Sequence, residues 1–180
     1  MKTALLLIDV QKGFQGSHWP QRNNPQAEEN MLVVLEHFRQ FGQEVIHICH
    51  RSQSPDGSFY QDQDREFMVG FEPLASEVVF EKGVNSAFIG TDLESYLGAE
   101  KITDLVIVGL TLPHCVSTTS RMAANLGFKV IILSDATASF SLPDLSGNLI
   151  APDLLHQVNL ASLNQEFAEI LTVSDYLADK

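Results

Sequence analysis

Three side chains of this sequence could do chemistry together: the carboxylate of Asp9, the ammonium of Lys82 and the thiol of Cys115. Each follows an apolar stretch with the composition of a buried strand. Because the carboxyl ends of parallel strands meet at one edge of a sheet, we expect the three side chains to share a crevice there. Each residue alone has an ordinary interpretation, as a turn residue, a solvated charge or a small buried hydrophobe. Their placement after three strands favours a catalytic site.

Cys115 lies where a strand is predicted to pass into a helix. The strand Leu105–Val108 is followed by Gly109 and a short connection, and helical spacing begins at Cys115 and ends at Gly127. The first N–H groups of a helix have no internal partner, and the helix dipole favours negative charge there. The position therefore predicts a lowered pKa for the thiol and nearby N–H groups that could hold an oxyanion.

Strands and helices largely alternate along the chain, which predicts an α/β fold with three layers, α/β/α, and a doubly wound, mainly parallel six-stranded sheet. Besides the strand before Gly109, the predicted strands are Ala4–Ile8, Glu44–Cys49, Glu77–Phe80, Lys129–Leu133 and Glu169–Val173. Besides the helix that begins at Cys115, the predicted helices are Ala27–Phe41, Asp92–Leu97 and Asp153–Phe167.

Composition narrows the classes of protein that the chain can belong to. A length of 180 residues without repeats predicts a single domain over residues 1–180. The net charge of −12 argues against nucleic acid or an anionic membrane as a partner. Two cysteines give no disulfide framework, which favours a cytoplasmic location. The apolar run Ala4–Ile8 is too short for a signal sequence, and no stretch reaches membrane-spanning length.

Three segments carry a family resemblance that spans nearly the whole chain. They read LLLIDVQKGF at residues 5–14, EKGVNSAFIGTDLESYL at 81–97 and LVIVGLTLPHCVSTTSRMAANLGFKVIILSDATAS at 105–139. With these segments the sequence resembles the isochorismatase-like cysteine hydrolase superfamily, which includes nicotinamidases and N-carbamoylsarcosine amidohydrolase. The resemblance implies the isochorismatase-like, Rossmann-like fold, a small-molecule substrate and a homo-oligomer, a dimer or larger.

The resemblance also implies a role for each reactive residue. Asp9 matches the family's catalytic aspartate, which accepts the thiol proton, and Lys82 matches the lysine that keeps this carboxylate oriented. Cys115 matches the nucleophile, which would form a thioester with an amide-like substrate. A non-proline cis peptide is expected at Leu110–Thr111, and the N–H groups of Thr111 and Cys115 would form the oxyanion hole.

The chain departs from nicotinamidases at their metal site. Those enzymes bind a metal through Asp-x-His after the second strand and a further His before the lysine. Here the first segment reads HICHRS from His47 to Ser52, and no histidine occurs between Arg51 and Phe80. We therefore expect no metal and no cofactor, and nicotinamide is not the expected substrate. His47 with Cys49 could form a zinc site, but a core histidine on a strand is the favoured interpretation.

Five further side chains are candidates for the substrate pocket, although ordinary packing explains each of them equally well: Phe14, Trp19, His50, Leu112 and His114. The favoured function is a cofactor-free hydrolase of a small amide-like substrate, since Cys115 is present. The alternatives are vinyl ether hydrolysis of the isochorismatase type, which uses no cysteine nucleophile, and a binding protein that has lost activity. Retention of all three reactive residues argues against the last.

Overall fold

A computed structural model describes residues 2–178 as a six-stranded parallel sheet with helices on both faces, which confirms the predicted fold class. The strand order is β3-β2-β1-β4-β5-β8, and every adjacent pair runs parallel. The strands of this sheet are β1 (Lys2–Ile8), β2 (Glu44–His50), β3 (Val78–Lys82), β4 (Ile102–Leu110), β5 (Lys129–Ala138) and β8 (Glu169–Leu171). Two short strands, β6 (Leu142–Pro143) and β7 (Leu149–Ile150), pair as a separate antiparallel hairpin.

The helices cover both faces of the sheet because its central strands are apolar on both sides. In β1, Leu5 and Leu7 belong to the core on one face, whereas Leu6 and Ile8 belong to the core on the other. The helices are α1 (Ala27–Gln40), α2 (Asp62–Arg65), α3 (Leu93–Ala99), α4 (Ser117–Asn125), α5 (Pro152–Leu163) and α6 (Val173–Ala178). Within residues 2–178, no helix combines the length and the apolar character needed to cross a bilayer.

Several boundaries differ from those that the sequence predicts. Strand β3 extends to Lys82, so the lysine is the last residue of the strand instead of following it. Strand β5 continues through a polar stretch to Ala138, well beyond the predicted end at Leu133. Helix α5 ends at Leu163 and not at Phe167, because a turn over residues 165–167 leads into β8. The hairpin β6–β7 and helices α2 and α6 were not predicted.

The strand order reverses between β1 and β4, which are adjacent at the centre of the sheet. From β1 the chain moves outward through β2 to β3, then crosses to β4 and moves outward on the other side through β5 to β8. In doubly wound sheets, the crevice outside the carboxyl ends of such strands is where ligands bind. Asp9 follows β1 and Cys115 lies shortly after β4, so the topology brings both residues to this crevice.

Candidate active site

Asp9 lies at the carboxyl end of β1 in a conformation that few non-glycine residues adopt. Its φ angle is 53°, its side chain is buried, and its N–H donates to the carbonyl of Ile48 at 2.9 Å. In the neighbouring strand β4, Gly109 pairs with Ile8, the last residue of β1, and has a φ angle of 126°. A Cβ atom on Gly109 would lie 2.1 Å from the carbonyl oxygen of Ile8. Only glycine therefore allows β1 and β4 to approach so closely beside Asp9.

Lys82 is buried, and its ammonium group joins the reactive residues. Its Nζ lies 2.8 Å from Asp9 Oδ2, 3.2 Å from His50 Nδ1 and 3.4 Å from Cys115 Sγ. An ammonium has three N–H donors, and each has one acceptor here. The structure thus brings together the three residues that the sequence singled out and adds His50 to them.

Cys115 lies in a π-helical turn, Leu112–Val116, and not at the first residue of a helix as the sequence predicted. The turn continues directly into α4, so helical structure begins three residues before Cys115. The cis peptide expected at Leu110–Thr111 is present at the start of this turn. Such π-turns are frequent at functional sites.

The pKa of Cys115 is raised, which corrects the predicted lowering. Burial raises the pKa of the thiol to about 12, the Asp9 carboxylate adds to the rise, and Lys82 only partly opposes it. Proximity to a helix terminus favours the thiolate, but burial, which the position in the sequence does not reveal, outweighs it here. Cys115 therefore holds its proton at neutral pH and needs a base to become a nucleophile.

Asp9 has one carboxylate oxygen that could act as this base. Its Oδ1 is buried and has no hydrogen-bond partner within ordinary distance among the described residues, whereas Oδ2 accepts from Lys82. Burial raises the pKa of Asp9, and the charge and hydrogen bond of Lys82 only partly oppose the rise. A carboxylate with a raised pKa and a free lone pair is suited to accepting a proton.

His50 is positioned by Gln11, a residue that the sequence analysis did not single out. The Gln11 side chain accepts from the His50 N–H at 2.7 Å and donates to the His50 carbonyl at 3.1 Å. Gln11 is fully buried, and its place two residues after Asp9 is the only sign of this role in the sequence. Because both backbone groups of His50 are held, the backbone that carries its ring is fixed beside Lys82, its pairing partner in β3.

A cavity of about 330 Å³ opens over these residues. Of the five predicted pocket residues, four line it: Phe14, Trp19, His50 and His114. Leu112 does not, because its side chain is fully buried in the core between the sheet and α4. Several lining residues were not predicted from the sequence, among them Phe59, Asn85, Phe140 and Ser141.

One group of three side chains within residues 2–178 could offer metal ligands, and it is the reactive cluster itself. Ligand atoms of Asp9, His50 and Cys115 lie within 4.8 Å of one another. However, the Lys82 ammonium contacts an atom of each, so a divalent cation there would lie directly beside a buried positive charge. His47, the alternative zinc ligand, instead contacts Glu77 at 2.8 Å in the core.

Comparison with known proteins identifies the family of the chain. The sequence model of the isochorismatase domain matches residues 3–175. The chain belongs to the isochorismatase family. The family protein YrdC of Bacillus subtilis (strain 168) is 44% identical over 180 residues, which cover 99% of this chain and 96% of that protein. A crystal structure of an isochorismatase-family protein from Chromobacterium violaceum ATCC 12472 superposes with a TM-score of 0.94 at 38% identity, covering 98% of this chain and 92% of the other.

One relative of this chain is named a nicotinamidase. Nicotinamidase 3 of Arabidopsis thaliana is 26% identical over 182 residues, which cover 93% of this chain and 83% of that protein. The family membership, the matching structures and this relative together show that the protein is a hydrolase of the isochorismatase family.

Proposed function

We propose that this isochorismatase-family protein is a cysteine hydrolase that cleaves the C–N bond of a small amide-like substrate. Asp9 would act as the base, Cys115 as the nucleophile and Lys82 as the fixed cation between them. The observation that carries the proposal is the contact of one buried ammonium with both Asp9 and Cys115, at 2.8 and 3.4 Å. Beside it, Asp9 Oδ1 is free to accept a proton.

In the first step, the Cys115 thiol proton moves to Asp9 Oδ1 while the sulfur forms a bond to the substrate carbon. The raised pKa values of both groups suit this transfer, because the thiolate forms only as the new bond forms. The substrate oxygen gains negative charge. In this proposal it accepts hydrogen bonds from the N–H groups of Thr111 and Cys115, two residues that line the cavity.

In the second step, the C–N bond breaks and protonated Asp9 gives its proton to the leaving nitrogen. Water then attacks the thioester carbon and passes one proton to Asp9. The C–S bond breaks, the acid product leaves, and the thiolate recovers a proton from Asp9. Lys82 stays charged throughout and holds Asp9 in place, and each atom and proton is accounted for without a metal or cofactor.

The nicotinamidase relative supports an amide in preference to a vinyl ether, since its name denotes an amide substrate. The covalent route also uses Cys115, whereas ether hydrolysis would leave this cavity-lining thiol without a role. Cofactor-free turnover stays a prediction, and a chelator should leave activity unchanged. Homo-oligomeric assembly and a cytoplasmic location also stay predictions, and light scattering at micromolar concentration tests the first.

Acylation of the thiol tests the proposed function directly. We expect p-nitrophenyl acetate to acetylate Cys115 in the wild type and in Cys49→Ala, the matched control for the second cysteine. Peptide mapping by mass spectrometry locates the acetyl group, and Cys115→Ala should acquire none in this segment. If the folded wild type neither keeps an acetyl group on Cys115 nor releases p-nitrophenol faster than Cys115→Ala, the cysteine hydrolase proposal is wrong.

A further inference from the structure

Four aromatic side chains form one continuous surface on the cavity, here called the aromatic wall: Phe14, Trp19, Phe59 and Phe140. The ring centroids of Phe14 lie 5.0 Å from Trp19 and 4.8 Å from Phe59. Trp19 stacks on Phe140 with centroids 4.9 Å apart and an interplanar angle of 26°. These rings already make favourable contacts with one another, so the wall has a defined shape before any substrate binds.

Backbone contacts hold the aromatic wall in this shape. Trp19 Nε1 donates to the Gly13 carbonyl at 2.7 Å. A Cβ atom on Gly13 would lie 2.6 Å from the Phe59 ring, so the glycine makes room for that ring. The Asn23 side chain accepts from the Ser139 N–H at 2.8 Å, which ties the loop after Trp19 to the segment that carries Phe140. A flat apolar group could therefore bind without ordering the wall first.

The cavity offers no cation to a substrate carboxylate. None of its described lining residues is lysine or arginine. The three donors of Lys82 are already matched to three protein acceptors. Arg22 lies 5.9 Å from the Phe140 ring, but its guanidinium is paired with both carboxylate oxygens of Glu28.

The other titratable groups at the cavity also disfavour an anion. Burial lowers the pKa of His114, and burial together with Lys82 lowers the pKa of His50, so both shifts favour the neutral ring. Asp9 contributes a carboxylate, and the whole chain carries a net charge of −12. A bound carboxylate would lose its water without gaining a counter-charge.

We propose that the acyl group of the substrate is neutral and aromatic, and that substrates bearing a carboxylate are rejected. This inference rests on the proposed function, because the acyl group must reach Cys115 while its ring lies against the aromatic wall. It excludes isochorismate, a dicarboxylate, as the substrate. A pocket that recognises an amide bearing a carboxylate would need an arginine or lysine at the wall, and the proposal therefore excludes such amides as substrates.

Aldehydes test the inference without knowledge of the leaving group. An aldehyde adds reversibly to a thiol: a C–S bond forms, and the thiol proton ends on the carbonyl oxygen. We would measure the concentration of each aldehyde that halves the rate of Cys115 labelling by iodoacetamide. The aldehydes are benzaldehyde, 4-formylbenzoate, the methyl ester of 4-formylbenzoate, and acetaldehyde. The concentration measured for each is corrected for the affinity of that aldehyde for the free thiol of 2-mercaptoethanol.

We expect the concentration of 4-formylbenzoate that halves the labelling rate to be about tenfold higher than that of its methyl ester, or more. The reason is that the carboxylate loses its water in the cavity without gaining a partner. Benzaldehyde should protect Cys115 from labelling at a concentration about tenfold lower than that of acetaldehyde, or lower still. Only benzaldehyde buries a ring against the aromatic wall. Equal protection by the acid and its ester would overturn carboxylate rejection. Equal protection by benzaldehyde and acetaldehyde would overturn the aromatic preference.

A cation introduced at the wall supplies a second test. Leu142 lines the cavity and is only partly buried, so Leu142→Lys should narrow the difference between 4-formylbenzoate and its ester by about tenfold. No narrowing in a folded variant would count against the electrostatic argument. If p-nitrophenyl acetate acylates Cys115 but benzaldehyde gives no protection, this inference fails alone; if neither reagent reaches Cys115, the proposed function fails as well.

Discussion

Strand β3 has an ion pair near each end, buried at Lys82 and partly buried at Glu77, and the two pairs differ in whether the carboxylate keeps an unmatched oxygen. At its carboxyl end, Lys82 contacts Asp9, His50 and Cys115. Just before its amino end, Glu77 contacts Arg39 through two hydrogen bonds, at 2.7 and 2.9 Å, and His47 through one. At each end, a histidine of β2 contacts the charged residue: His47 contacts Glu77, and His50 contacts Lys82.

The Glu77 carboxylate has a partner for each oxygen, whereas the Asp9 carboxylate does not. Both oxygens of Glu77 accept hydrogen bonds, the second also from the Leu74 N–H at 2.9 Å. Although burial opposes it, hydrogen bonds from Arg39, the Leu74 N–H and His47 lower the pKa of Glu77 to about 2. By contrast, Asp9 keeps one oxygen without a partner and its pKa is raised. A charge cluster can do chemistry where its carboxylate keeps an unmatched oxygen beside a cavity, and it serves stability where both carboxylate oxygens are matched.

The largest expected effect comes from exchanging a carboxylate for an amide in each pair. Asp9→Asn should lower kcat and kcat/KM together by about a thousandfold, because the amide cannot accept the thiol proton. Glu77→Gln, the matched control at the other end of β3, should retain the wild-type kcat per folded molecule. Both are measured with an amide found to be turned over, or with p-nitrophenyl acetate. Substantial turnover by Asp9→Asn would remove Asp9 as the base.

The same control variant should show its effect in stability. Glu77→Gln breaks a mostly buried ion pair and should cost about 3 kcal/mol of unfolding free energy, measured by urea denaturation. Because the pKa of Glu77 is lowered, its contribution is present above the ordinary value of 4.5 and is lost as pH falls toward about 2. Glu77→Gln should therefore flatten the loss of stability in this pH range. An unchanged acid profile would show that the pair is not coupled to folding.

Labelling of the two cysteines tests whether the free oxygen of Asp9 is a base. Burial raises the pKa of Cys49 to about 11 and that of Cys115 to about 12, so both thiols are protonated at neutral pH. Iodoacetamide should nevertheless label Cys115 about a hundredfold faster, because a positioned base contributes at least this much.

The labelling of Cys115 should also follow the protonation of Asp9. Since its pKa is raised above 3.8, labelling should decline with falling pH at a higher pH than an exposed aspartate would give. Asp9→Asn should remove the advantage over Cys49. Equal rates in the wild type would contradict base assistance, and a fast rate that survives in Asp9→Asn would point to another base.

The smallest expected effect concerns His50, which acts through Lys82. His50→Phe should keep the ring contact with Phe59 but remove the acceptor that Lys82 uses. We expect kcat to fall about tenfold, since an unmatched buried charged donor costs about 1.5 kcal/mol or more. His50→Asn, whose side-chain oxygen can replace Nδ1, should recover most of this loss. A purely structural role would give equal defects in both variants.

The sequence was sufficient to predict that Asp9, Lys82 and Cys115 lie together, because the rule that places them is general. Any parallel sheet brings the carboxyl ends of its strands together, so Asp9, Lys82 and Cys115 could be grouped without coordinates. Their ionisation could not be predicted, since it depends on burial. The pKa of Cys115 is raised for this reason, although its position in the chain argued for the opposite.

The other differences between the predicted and the observed structure arise where a residue contacts others that are distant in the sequence. The polar residues Ser134 and Asp135 suggested the end of β5, yet the strand continues through them. Ser134 Oγ donates to the Leu171 carbonyl, and Asp135 Oδ1 accepts from the Val173 N–H. Phe59 and Phe140 were missed for a similar reason: their places on the cavity depend on how two loops fold back, which local periodicity does not encode.

The central position of β1 has a consequence for how the molecule is made. One edge of β1 pairs with β2, but the other pairs with β4, where Ile8 lies beside Gly109. A nascent chain that has emerged only as far as α3 therefore has one edge of its most apolar strand without a partner. Such an edge is prone to pairing with other chains. We expect the emerging protein to need shielding until β4 is released, and the crevice beside Asp9 and Cys115 to form only then, late in synthesis.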